Sequence, residues 1–171
     1  MERVIANLVE NAARYAGGAT RVIVDAGHYV ARVAVDDEGP GVVPEEREAI
    51  NNHGFIATVS SWEEACAFER NPAGVNFTID TGMGRMGITD DDALGELTAI
   101  AQLPNVRIHS VSTHLPSADE DSAFTRAQLS HFSELVASIR SALPSGYKVH
   151  ALPSAGVLAF ADSSFDIVRA G

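Results

Sequence analysis

The sequence has a single cysteine, Cys66, among its 171 residues. One cysteine excludes an internal disulfide and a zinc site built from several cysteines. Cys66 lies in the stretch SWEEACAFE, which has a helical pattern. We therefore interpret it as a buried small apolar side chain and not as a nucleophile.

Basic residues are scarce. Twelve lysines and arginines oppose 23 aspartates and glutamates, and the formal net charge is −11. This charge disfavours general binding to DNA, RNA or anionic membranes, whose phosphates are also negative. Lysine is scarcer still, because Lys148 is the only one in the chain. We expect a small molecule as ligand, if there is one, and neither nucleic acid nor membrane as a partner.

Long apolar runs are also missing. None approaches the roughly 20 residues that a helix needs to span a bilayer. The first residues, MERVIANLVEN, have the pattern of an amphipathic helix that contains acids, which is not typical of a signal peptide. With 46% hydrophobic and 20% charged residues, the composition is that of a globular domain. The sequence predicts a cytoplasmic, reduced protein.

The first 50 residues predict a helix followed by a β-hairpin. Apolar residues recur at helical spacing over residues 2–16, and YAGGAT ends the pattern with two glycines. Two β-rich runs follow in RVIVDAGHYVARVAVDDEG, on either side of the turn DAGHY.

From about residue 53, short strands alternate with helices, which is typical of parallel β/α units. The clearest helix start is Ser61-x-x-Glu64, a capping-box pattern. The predicted strands begin near Phe55, Asn76, Ile108, Lys148 and Ile167.

Polar or glycine residues follow these strands at their carboxyl ends, which form one face of a β/α barrel and bind ligands there. They are Asp80–Arg85, His114, Ser154 and Arg169–Gly171. Two arginines, a histidine and a serine on one face predict an anionic ligand. The alternative is that Arg85 and Arg169 only pair with the many acids of the chain.

Three motifs in this part of the chain resemble alanine racemase, a pyridoxal-phosphate enzyme with a barrel of the triose-isomerase type. They are DTGMGRMGI, STHLPSADEDSAFTRAQLSHF and FDIVRAG, and they occur in the order of the family. The resemblance implies an α/β fold, a partial (β/α) barrel of about five parallel strands, preceded by a helix and hairpin of a different fold.

The resemblance also implies roles for single residues. Arg85 matches an arginine near the substrate carboxylate and the cofactor, and His114 matches a histidine near the pyridine ring. Ser154 matches a phosphate-binding serine, and Gly171 lies where backbone amides approach the phosphate. Arg169 matches the arginine that faces the pyridine nitrogen. Since an arginine stays protonated, it leaves this nitrogen unprotonated and limits the electron withdrawal of the cofactor.

The sequence departs from the family at several points. Pro153 stands where the family usually has an asparagine. The Schiff-base lysine of the family lies in a KANAYG-type motif, which does not occur here, and Lys148 is in another motif. The tyrosine base belongs to a second domain of the family, and we expect it to be missing here because the sequence stops at Gly171. We therefore expect no intact catalytic residues, and at most weak binding of pyridoxal phosphate.

The first 50 residues resemble the ATP-binding (HATPase) domain of sensor histidine kinases, in ERVIANLVENAARYA and VAVDDEGPGVVPEEREAI. Asn11 matches an asparagine that coordinates magnesium, and Asn7 lies one turn earlier on the same helix. Asp37, Gly39 and Gly41 match the box in which an aspartate binds adenine. A second glycine-rich box and a lid are missing, so the resemblance implies weak Mg-ATP binding or none.

We interpret the chain as a segment chimera, engineered or accidental, with a junction near residues 48–53. Residues 1–50 are the kinase-like fragment and residues 51–171 the racemase-like barrel fragment, in one merged domain or two. A half-barrel leaves open sheet edges, which favour self-association. The leading hypothesis is a domain without an intact active site that keeps a residual pyridoxal-phosphate or anion site. The alternatives are Mg-ATP binding, a scaffold without ligand, and a racemase completed by partner chains.

Overall fold

The computed structural model describes residues 19–26, 31–37, 44–70, 72–84, 86–163 and 165–169. The helix predicted over residues 2–16 lies outside these ranges. Contacts divide the chain into two units, Met1–Glu46 and Arg47–Gly171. This division does not test the predicted junction near residues 48–53, which stays a prediction.

The first unit contains the predicted hairpin. Strand β1 (Ala19–Ala26) pairs antiparallel with β2 (Ala31–Asp37). Val22 lies opposite Val35, and the register shifts near Ala19. β-branched residues are frequent in both strands, as pleated sheets favour. The hairpin prediction is confirmed.

The second unit alternates strands and helices. Its strands are β3 (Ala57–Val59), β4 (Ala73–Asp80), β5 (Ile88–Thr89), β6 (Val106–Ser112), β7 (Lys148–Pro153) and β8 (Ile167–Arg169). The helices are α1 (Pro44–Asn52), which begins in the first unit, α2 (Trp62–Cys66), α3 (Asp90–Ile100), α4 (Ser122–Ala142) and α5 (Ser154–Ala159), followed by a 3-10 turn (Ala161–Ser163). None of the described helices is long and apolar enough to cross a bilayer.

The strands form a parallel sheet in the order β3-β4-β6-β7-β8. This confirms the predicted α/β class and the partial barrel of about five parallel strands. Strand β5 pairs with β4 outside this order. It was not predicted, because two residues are too short to show a period.

One face of the sheet packs on the helices. Val75, Phe77 and Ile79 alternate along β4 and are almost completely buried. They join one apolar core with Phe132 and Val136 of α4. Alternate residues of a strand point to opposite faces, so this pattern fixes which face is covered.

The opposite face of the sheet is polar at its centre. Asn76, Ser110 and Ser112 are buried there, and Asn76 bonds to both serines, donating from Nδ2 to Ser112 Oγ at 2.9 Å and accepting from Ser110 Oγ at 2.8 Å. These polar groups satisfy one another within the sheet.

The predicted capping box of α2 forms in part. The side chain of Ser61 accepts a hydrogen bond from the backbone amide of Glu64 at 3.2 Å. The Glu64 carboxylate accepts from the amide of Ser60 at 2.6 Å, one residue before the cap. At the end of this helix Cys66 is only partly buried, which corrects the prediction of a buried side chain. Partial burial, then Glu69 and Glu63, raise the pKa of its thiol, so it stays protonated at neutral pH.

Candidate functional site

Three of the residues predicted for the pyridoxal-phosphate site are described, and they lie at the carboxyl ends of neighbouring strands. His114 follows β6, Ser154 follows β7, and Arg169 ends β8. Asp37, from the second candidate site, ends β2 in the hairpin. The other predicted residues lie outside the described part of the chain, and they are Asn7, Asn11, Gly39, Gly41, Arg85 and Gly171.

The guanidinium of Arg169 is held by two backbone carbonyls and lies against an imidazole. Its Nη2 donates to the carbonyl oxygen of Thr113 at 2.8 Å and to that of Ala151 at 2.9 Å. It lies 3.1 Å from Nδ1 of His114. Two carbonyls from two neighbouring strands therefore fix the position of a permanent positive charge at the end of the sheet.

The contact with Arg169 places the imidazole of His114 beside the positive charge. The structure brings these two predicted residues together.

Ser154 is exposed at the first position of α5, and Pro153 precedes it. Pro153 lies opposite Arg169 in the pairing of β7 with β8. As a proline, it offers no amide hydrogen at this point. The departure from the family noted in the sequence therefore falls beside the charged residue of the site.

A loop after β4 is organised by one carboxylate. Asp80 accepts from the backbone amides of Gly82, Met83 and Gly84 at 2.9, 2.7 and 2.7 Å. Three charge-assisted bonds fold the loop tightly around the carboxylate. Gly84 is followed in the chain by Arg85.

Side chains from distant parts of the chain fix this loop. The hydroxyls of Thr81 and Thr113 lie 2.7 Å apart, and Gln128 Nε2 donates to the carbonyl oxygen of Thr81 at 3.2 Å. Thr113 also provides a carbonyl for Arg169. The loop, the end of β6 and the end of β8 therefore belong to one hydrogen-bonded arrangement.

His150, in strand β7, joins the polar centre of the sheet. Its Nε2 lies 3.2 Å from Oδ1 of Asn76, which can only accept, so Nε2 carries the proton. Burial, then the nearby Arg169 and His109, lowers the pKa of His150 to about 4. The ring is therefore neutral at pH 7.

We expect the stability of the protein to fall as the pH drops from about 6.5 to about 4, because His150 binds its proton more readily in the unfolded chain. Without screening, the lowered pKa corresponds to a loss of roughly 2 kcal/mol in the free energy of unfolding between pH 7 and pH 5. Solvent screening of the partly exposed ring reduces this loss to about 1 kcal/mol. Urea denaturation at both pH values measures it. His150→Asn is expected to lose this part of the pH dependence, and an unchanged pH dependence would contradict the assignment.

Sequence reasoning missed most residues that support the site. They are Asn76, Ser110, Ser112, Thr113, Gln128 and His150. One signal was available, since Thr125 and Gln128 interrupt the apolar face of α4 and are buried. The others lie within strands or next to predicted residues, and no local pattern distinguishes them.

A known protein family matches most of the chain. The family "Alanine racemase, N-terminal domain" matches residues 26–171. The chain belongs to this family. The alanine racemase of Treponema pallidum is 34% identical over 126 residues, which are 71% of this chain and 33% of the relative. That of Halothermothrix orenii is 28% identical over 173 residues, covering 88% of this chain and 46% of the relative.

Solved alanine racemases share the fold. The enzyme of Clostridium difficile 630 superposes with a TM-score of 0.71 at 24% identity, over 75% of this chain and 38% of that chain. The enzyme of Streptomyces coelicolor A3(2) gives 0.66 at 28% identity, over 77% and 37%. The chain therefore spans between a third and a half of the length of these racemases.

The match to the alanine racemase family begins at Ala26, inside the segment that we assigned to a kinase-like fragment. It includes all of β2 and α1. The predicted junction near residues 48–53 is thus not a boundary of this match.

Proposed function

We propose that this chain is a pyridoxal-phosphate-binding domain of the alanine racemase type. The observation that carries the proposal is the fixed pair of Arg169 and His114 at the carboxyl ends of the strands. Ligands of parallel β/α barrels bind at this end. The sequence resemblance implied pyridoxal phosphate as the ligand, and the proposal adopts this ligand.

The described groups fit such a cofactor. Arg169 supplies a positive charge that does not depend on pH, held by two carbonyls, for the pyridine side of the ligand. The imidazole of His114 lies beside it. Ser154 is an exposed residue, and a serine hydroxyl suits a phosphate. The bound cofactor would supply an electron-accepting ring, and these residues would bind and orient it.

A covalent link to the cofactor does not fit the described site. Lys148 is the only lysine of the chain, and it begins β7, at the end of that strand opposite to Ser154. We therefore propose non-covalent, weak binding, and no alanine racemisation by this chain alone. Racemisation by the purified chain would contradict the second part.

The chimeric origin and Mg-ATP binding remain proposals of lower rank. They depend on Asn7, Asn11, Gly39 and Gly41, outside the described residues, and on Asp37 in the hairpin. If the kinase-like site binds Mg-ATP, we expect Asp37→Ala to abolish this binding and to leave binding of pyridoxal phosphate unchanged. Calorimetric titration with each ligand separates the two sites.

Replacing Arg169 by glutamine is expected to weaken pyridoxal-phosphate binding. Loss of charge-assisted hydrogen bonds costs about 1.5–3 kcal/mol, which is roughly a 10- to 100-fold rise in Kd. Isothermal titration calorimetry and the absorbance of the cofactor measure the change. Mass spectrometry after borohydride reduction is expected to find no adduct on Lys148.

Two further variants make the result specific. Arg126→Gln removes an exposed arginine of α4 that pairs with Asp162 in the 3-10 turn, and it is expected to leave cofactor binding unchanged. Arg169→Lys keeps the charge but loses the forked donors, so its affinity is expected to lie between that of the glutamine variant and the original protein. Equal binding by all of these proteins would refute the proposed site.

A further inference from the structure

We propose that Gln128 and the hydroxyl pair Thr81–Thr113 are positioning residues, which hold the loop Asp80–Gly84 in register with the segment that fixes Arg169. This inference rests on the proposed function for its effect on the cofactor. Its structural part can be tested without any ligand.

Gln128 connects α4 to the loop. It is 3% exposed, and its Nε2 donates to the carbonyl oxygen of Thr81. The contact is close, because a Cβ built on Gly82 would lie 3.1 Å from Nε2 of Gln128 and 3.3 Å from Cζ of Phe124. The helix and the loop therefore leave little room for movement between them.

The amide oxygen of Gln128 is buried without a hydrogen-bond partner among the described residues. An unpaired buried acceptor reduces stability. A buried side chain of α4 with one of its polar atoms unpaired breaks a general rule of core packing, and such exceptions concentrate at functional sites. This supports a role for the nitrogen of Gln128 at the loop.

The hydroxyl pair connects the loop to the end of β6. Thr113 is completely buried, and its Oγ1 lies 2.7 Å from that of Thr81. Through its own carbonyl, Thr113 also accepts from Arg169. A shift of the loop would therefore pull on the backbone group that holds the positive charge.

The Asp80 carboxylate accepts hydrogen bonds from three amides of the loop and so ties its backbone together. Gln128 and Thr113 provide contacts to this loop from outside it. The three residues therefore connect the loop to α4 and to the segment that holds Arg169.

The experiment compares Thr81→Val, Thr113→Val, their combination, and Gln128→Leu with the original protein. Valine keeps the shape of threonine and removes the hydroxyl. Amide hydrogen exchange at Gly82, Met83 and Gly84 is expected to quicken about 2- to 10-fold, and pyridoxal-phosphate Kd to rise by a similar factor, as for a lost neutral hydrogen bond. The two threonine changes combined are expected to give no more than the larger single effect, since both remove one interaction.

Thr98→Val is the matched control, because the Thr98 hydroxyl bonds to the Leu94 carbonyl on the exposed side of α3. It is expected to leave loop exchange and cofactor binding unchanged. Unchanged loop exchange in the Thr81, Thr113 and Gln128 variants would overturn the inference. If the original protein binds no pyridoxal phosphate, the proposed function fails, while the exchange rates still decide the inference. If a variant loses its fold, thermal melting and dispersion of the spectrum reveal it, and the other variants decide.

Discussion

Alanine at Gly87 is expected to lower the free energy of unfolding by about 3 kcal/mol or more, as strained and clashing positions do. Gly87 has φ of 118°, a conformation that residues with a side chain rarely adopt. A Cβ there would lie 2.7 Å from the amide nitrogen of Asp80 and 2.9 Å from the carbonyl carbon of Ile79. Both are backbone atoms of β4, so no side-chain rotation relieves the clash.

Urea denaturation followed by circular dichroism measures this loss. Substitutions at two other glycines allow the backbone strain and the steric clash to be measured separately. Gly146 also has a positive φ, of 125°, but nothing lies within 4 Å of its Cβ position, so Gly146→Ala reports strain alone and is expected to cost about 1 kcal/mol. Gly95 lies in α3 with open space around it, and Gly95→Ala is expected to add about 0.5–1 kcal/mol of stability. A Gly87 variant as stable as the Gly146 variant would show that β4 moves to accommodate the methyl group.

Removal of the Asp80 carboxylate is the second large effect that we expect. Asp80→Ala takes the acceptor from three amides at once. Hydrogen bonds to charged groups contribute about 1.5–3 kcal/mol each, but water can replace part of them in this partly exposed loop, so we expect a loss of about 2 kcal/mol. Because the loop leads into the candidate site, we also expect pyridoxal-phosphate affinity to fall about tenfold, on the scale of one lost charge-assisted bond.

Denaturation and calorimetric titration of the same variant measure both effects. Asp80→Asn keeps one acceptor oxygen and removes the charge, so it is expected to lie between the alanine variant and the original protein. Asp121→Ala is the control for a capping carboxylate, since Asp121 accepts only from the amide of Phe124 at the start of α4. It is expected to cost about 1 kcal/mol without change in cofactor affinity. If Asp80→Ala binds the cofactor as tightly as the original protein, the loop has no part in the site.

The alternation of short β-branched runs with amphipathic helices was sufficient to predict the parallel sheet. Strand and helix periods are local properties, so a few neighbouring residues reveal them. The same reasoning placed His114, Ser154 and Arg169 directly after strands, and parallel strands bring their carboxyl ends to one edge. The β1–β2 hairpin was also predicted from the sequence.

Which side chains support the candidate site was decided by the tertiary structure alone. Thr81 and Thr113 are separated by 32 residues, Thr81 and Gln128 by 47, and Asn76 and His150 by 74. Hydrogen bonds of this kind depend on distances of a few ångströms that strand register and helix packing fix. The neighbours of each residue in the sequence do not show which distant residue it will bond to. No pattern along the chain therefore predicts these pairs. The sequence by itself therefore determined the racemase family and the alternation of strands and helices, and it predicted the edge of the sheet for which we propose a ligand, whereas folding decided which groups hold Arg169 and the loop in place.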